Sequence, residues 1–155
     1  MSIFVESLNQ MAAKKFVISW IASAVVMFLL FYLWHGLLLN DLRMLSYPLG
    51  LFLLFASVVY LIAGAVVSKA YSIEVFSRIT KHPFLRGLLS GSVCGLLFYI
   101  IALVVGVSFS KNITMQYMLI DISWQMIEQA IGGFIVGLVH IFVWDDSMIR
   151  PEDMD

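Results

Sequence analysis

Four long apolar runs separated by short polar breaks set the pattern of this chain. The first continues from Phe16 to Asn40 without a charged residue. About 20 apolar residues in helical form cross the core of a bilayer. The run therefore predicts a membrane helix over about 16–39, with Trp20 and Trp34 near its ends as interfacial anchors. The break Asn40–Asp41–Leu42–Arg43, with Pro48 behind it, predicts a tight connection. Pro48 suits the first turn of a helix, where no amide donor is needed. The remaining runs predict helices over about 49–68, 86–109 and 117–144.

Two weaker patterns flank these runs. Phe4, Leu8, Met11 and Ala12 fall at helical spacing, which suggests a short interfacial helix over 2–13. Tyr71, Val75, Phe76 and Ile79 suggest a second one over 70–81, stopped before Pro83.

Composition agrees with the pattern. The chain is 62% hydrophobic and 12% charged, about half the charge of an ordinary soluble domain. So much apolar surface cannot be wrapped inside 155 residues, and lipid is the solvent that accommodates it. The expected fold is an all-α integral membrane protein, one four-helix transmembrane domain over 1–155. Lys14 and Lys15 precede the first run as they would in a signal peptide. The run far exceeds the ~7–15 residues of a signal h-region, so it reads as a retained span.

Lysine and arginine orient the bundle. Lys14, Lys15, Lys69, Arg78, Lys81, Arg86 and Arg150 fall on one side, and Arg43 and Lys111 on the other. The positive-inside rule then makes both termini cytoplasmic. The sequon at Asn112 falls on the outer side. A net charge of −1 gives nucleic acid no purchase. The single cysteine, Cys94, excludes chemistry that needs a cysteine pair and reads as a small packing residue.

Candidate chemistry concentrates in the fourth run. Asp121, Gln125, Glu128 and Gly132 share a narrow arc of the helix. Glu128 stands four residues beyond the interface marker Trp124, roughly 6 Å deep at helical rise. A carboxylate at that depth must face other helices, water or a ligand. It reads either as a protonatable or ion-binding group or as a polar packing contact. His35 lies at similar depth at the end of the first run, with Tyr32 three residues earlier and Asp41 just beyond. A cluster of Glu128, His35, Asp121, Gln125, Tyr32 and Asp41 is the candidate site, suited to proton transfer, to ion or metal binding by the histidine and carboxylates, or to a polar contact. His35 and His140 belong to opposite membrane faces, ~25 Å apart, and cannot ligate one haem. No haem, metal or other cofactor is expected.

Gly87, Gly91 and Gly95 recur every four residues in the third run, and Gly133 and Gly137 answer in the fourth. This glycine-zipper spacing suits close helix packing, between these two helices or against another chain. The second run carries no acid, lysine or arginine between Arg43 and Lys69 and reads as the most lipid-exposed span or as a surface against a partner. No nucleophile elbow, HExxH, P-loop or dinucleotide motif occurs.

Four spans with one membrane acid resemble the plan of small multidrug-type transporters. The resemblance is one of architecture, because their acid lies in the first helix and here it lies in the fourth. The expected function is that of a non-enzymatic accessory or assembly subunit of a larger membrane complex. The alternative is an oligomeric transporter or channel for ions or small solutes that uses Glu128. The expected partners are the bilayer and other membrane subunits or further copies of the chain, and the expected location is a bacterial inner membrane.

Overall fold

No glycine or proline interrupts the chain from Ser2 to Phe31, and nothing therefore breaks a helix there. The computed structural model, which describes residues 2–109 and 115–143, has one unbroken helix, α1, over Ser2–Phe31. The separate surface helix expected over 2–13 is thus the leading part of α1. Past Phe31 the helix widens into a π-helical segment, Tyr32–Leu38. Its i→i+5 bonding shows in the Leu39 amide, which donates to the Trp34 carbonyl at 2.8 Å. Asn40 stops it with a left-handed backbone, φ 61°, a conformation that asparagine tolerates better than most residues. A 3-10 turn over Asp41–Met44 leads to Pro48, whose carbonyl accepts from Leu51 and Phe52 at the head of α2, Leu49–Tyr71.

The region expected as one interfacial helix over 70–81 is split. Its first residues finish α2, where the Ser72 and Ile73 amides donate back to the carbonyls of Lys69 and Ala70. These i→i+3 bonds tighten and end the helix. Extended Ile73 then separates α2 from a six-residue helix, α3, Glu74–Ile79. Pro83 heads the next helix instead of standing outside it. α4 spans Pro83–Phe109, beginning before the expected Arg86, in keeping with proline's fitness for a first turn. α5 spans Met115–Phe142. Lys111, Asn112, Trp144, Arg150 and the rest of the acidic tail lie outside the described residues.

Four helical stretches are long and apolar enough to cross a membrane: Ala12–Leu38, Leu49–Tyr71, Pro83–Val104 and Met118–Phe142. Among the described residues there is no strand. The chain has the architecture of a multi-pass helical membrane protein.

Neighbouring spans pack antiparallel. The most extensive interface joins α4 to α5. A Cβ at Gly87 would collide with the Gly133 carbonyl, one at Gly91 with the Gln129 carbonyl, and one at Gly137 would stand 2.6 Å from the Pro83 carbonyl. Only the missing side chains let these backbones meet. α1 is fastened to α2 by the Trp20 indole, which donates to the Leu61 carbonyl at 2.6 Å. Gly64 faces Ala24 at the same junction, where an added Cβ would lie 2.8 Å from the Ala24 Cβ. Helices α1 and α5 also touch, because Gly132 packs against Met27 and Ser23. Of the four spans, α2 is the least covered by the rest of the chain.

Candidate functional site

Helix α5 presents Glu128 and Gln129 side by side at the centre of this packing, each 1% exposed. Neither Glu128 Oε1 nor Gln129 Oε1 has a hydrogen-bond partner. Buried polar atoms in protein interiors nearly always have one, so both atoms mark a place where the packing is polar without being satisfied. The Glu128 carboxyl is approached from α2 by the Tyr60 hydroxyl and from one turn away on α5 by the Trp124 indole. The Trp124 Nε1 nevertheless makes no bond of good geometry. Tyr60 is itself buried, with its ring edge-on to Phe28 at 6.0 Å and tilted against Phe31 at 5.4 Å.

The Trp124 ring stacks on Trp34 of the π-helical segment, with centroids 4.1 Å apart and planes 10° from parallel. This pair closes the cluster on the side where α1 ends and α5 begins. The Trp34 indole Nε1 is buried and unbonded as well. Inward from Glu128, Ser23 of α1 is fully buried, and its hydroxyl stands 3.1 Å from where a Cβ of Gly132 would be. The bundle thus collects Ser23, Tyr60, Glu128 and two tryptophans along one inner seam between α1, α2 and α5, with Gln129 beside them turned toward α4.

The residues expected in the site are placed unequally. Glu128 is at the centre of the seam, and Gln125 lies half-buried one turn away. His35 packs its ring against Phe31, centroids 5.1 Å apart. Tyr32 lies beside Gly36 and is exposed. Asp121 is exposed on α5, and Asp41 heads the 3-10 turn, its side chain outside the described residues. Among the described residues, no three histidine, cysteine or acidic side chains gather as metal ligands. His140 sits at the other end of the bundle, its ring 4.4 Å from that of Tyr71 and its Nδ1 2.9 Å from the Val136 carbonyl. The Arg86 guanidinium covers Tyr71 at 4.5 Å.

Sequence reasoning missed Tyr60, Gln129, Ser23 and the pairing of Trp34 with Trp124. Tyr60 stands in a run dominated by aliphatic and aromatic residues, and no periodicity singles it out. Gln129 was detectable as the only amide directly beside the membrane acid.

No family model, curated protein or solved structure matches the chain.

Proposed function

We propose that this chain is a non-enzymatic accessory or assembly subunit of a larger membrane complex, docking through its helices. The supporting observation is the state of α2. Leu51, Leu54, Val58 and Leu61 recur on it at helical spacing, and all are exposed. The glycine faces of α4 and α5 are occupied within the chain, which leaves α2 as the span with most surface to offer a partner helix. The connections between spans are too short to carry a substrate-binding domain. The positive-inside count supports cytoplasmic termini, and we place the protein in a bacterial inner membrane.

Native mass spectrometry after gentle extraction tests the reading. Distinct larger proteins at fixed stoichiometry with the 17.5 kDa chain are the expected result. A photocrosslinking residue at Leu54 should capture the same proteins, whereas one at Val25, exposed on α1, should not. A chain recovered alone or only with its own copies would overturn the proposal.

One observation favours a second reading, an oligomeric transporter or channel. Glu128 is a buried acid with an unbonded oxygen at membrane depth, and such groups commonly serve proton or ion movement. On this reading Glu128→Gln abolishes coupled proton movement while assembly stays intact. On the subunit reading it leaves fluxes unaltered.

A further inference from the structure

The far side of the Tyr60 ring borders a cavity. It has a volume of about 440 Å³ and lies between α2 and α4, backed by α5 and by Phe31 of α1. That volume is within the ~300–1,000 Å³ of small-molecule sites. Five rings line it: Phe31, Phe52, Phe55, Tyr60 and Phe98. Its α2 rim, Phe55, Val59 and Ile62, is exposed, so the mouth opens sideways at membrane depth rather than toward water.

An aromatic cavity of this kind would suit any lipid tail were it not for α5. Gln125 and Gln129 both line it. They are four residues apart, hence on one face of the helix and about one 5.4 Å turn apart. Gln129 is 1% exposed with its Oε1 unbonded. Its stem is held by the close approach of Gly95, where an added Cβ would stand 3.1 Å from the Gln129 Cβ. A buried carboxamide with an unbonded oxygen, beside a second carboxamide on the same wall, suits an occupant that can hydrogen-bond at two points, because hydrocarbon offers no partner.

We propose that this cavity binds a ring-headed lipid with oxygens at opposite edges of the ring, a prenylated para-quinone or its quinol. The separation of the two ring oxygens is close to one helical turn. A carboxamide both donates and accepts: the unbonded Gln129 Oε1 accepts from a hydroxyl of the quinol, and the carboxamide nitrogens of Gln125 and Gln129 donate to the carbonyls of the quinone. Offset and edge-on contacts with the phenyl rings hold the head group, and the tail leaves past Phe55 and Ile62 into the bilayer. This assignment does not rest on the subunit reading.

The test uses the full chain in phosphatidylcholine nanodiscs, titrated with decylbenzoquinone, with tryptophan fluorescence as the signal. Saturable quenching is expected, and decylbenzoquinol should compete with it. Ala56→Phe, which fills the cavity, should abolish the saturable component. Gln125→Leu and Gln129→Leu should each weaken binding about tenfold, the equivalent of about 1.4 kcal/mol. Ile21→Phe, on an exposed face of α1, should change nothing, and thermal melts in the same discs verify that each variant is folded. Quenching that never saturates, or that survives Ala56→Phe, would overturn the site. Unchanged affinity in both folded glutamine variants would overturn the ring-headed ligand and leave an acyl chain as the occupant.

Discussion

Gly132 and Gly133 are adjacent in sequence and face opposite kinds of interior. A Cβ on Gly133 would meet the backbone carbonyl of Gly87, and one on Gly132 would meet the thioether of Met27 and the hydroxyl of Ser23. At Gly133 the first face of α5 sets backbone against backbone with no room for a side chain; one and two turns earlier the same face carries Gln129 and Gln125. The second carries Glu128 and its polar neighbours between α1 and α2. A backbone cannot yield without moving a whole helix, whereas the end of a methionine can turn. The rigid contact therefore fixes how α4 and α5 lie, and the adaptable face carries Glu128.

The largest effect should come from breaking the rigid face. Gly133→Leu should destabilise the fold by about 3 kcal/mol or more, since overpacking of a core reaches that range even where neighbours can shift. Gly50→Leu is the matched control, because a Cβ there meets nothing within 4 Å. Denaturation in detergent followed by circular dichroism should show early loss of helix in the first variant and not in the second. Equal behaviour would mean that α4 and α5 are not held by this contact.

Next comes the polar seam. Tyr60→Phe removes the hydroxyl that approaches Glu128 and leaves a buried carboxyl with less to pair with, a change expected to cost about 1–2 kcal/mol. Glu128→Leu removes the carboxyl altogether and should be neutral or stabilising, since an apolar replacement asks for no partner. The double variant should regain most of what Tyr60→Phe loses. A stabilising Glu128→Leu that also loses partner recovery or transport would show that the acid is kept for function. If Tyr60→Phe costs nothing in either background, the two groups are not coupled.

These contrasts also show what the sequence could disclose. The spans were legible because bilayer thickness is a length criterion, and length survives without knowledge of contacts. The four-residue spacing of Gly87, Gly91 and Gly95 was legible because a helix repeats nearly every four residues. The polar seam was only partly so. Glu128 is conspicuous in an apolar run, but Tyr60 is conspicuous only once α2 lies against α5. Gly132 looked like part of the polar arc, and its role in admitting Met27 depends on α1 being there. The π-helical widening at Tyr32–Leu38 has no proline to announce it, and the stacking of Trp34 on Trp124 arises within it. Contacts between elements distant in sequence leave no local period to read.

A smaller effect should separate ring stacking from hydrogen bonding at the mouth of the seam. Trp34→Leu removes the parallel stack on Trp124 and should cost about 1 kcal/mol, in the range of aromatic pairs. Trp34→Phe keeps a ring there and should recover part of that. Both can be read from the melting temperature, and the near-ultraviolet dichroism of the tryptophan pair should vanish in each. A phenylalanine variant as damaged as the leucine one would shift the weight from stacking to the indole itself.

The smallest effect should be Gly132→Ala, although the position lies next to the most damaging one. The added methyl encounters Met27, which is fully buried, so some rearrangement is required. A methionine side chain has three rotatable bonds and fills irregular space readily, and the expected loss is about 0.5–1 kcal/mol. Shortening Met27 should then relieve the clash. Met27→Ala alone opens a void and should cost about 2–4 kcal/mol, while Met27→Ala with Gly132→Ala should cost less than the sum of the two. No combination with a side-chain change can relieve Gly133→Ala, because its obstacle is the Gly87 carbonyl. If Gly132→Ala proves as damaging as Gly133→Ala, the two faces of α5 are equally rigid and the polar seam has no slack with which to accommodate a proton, an ion or a partner.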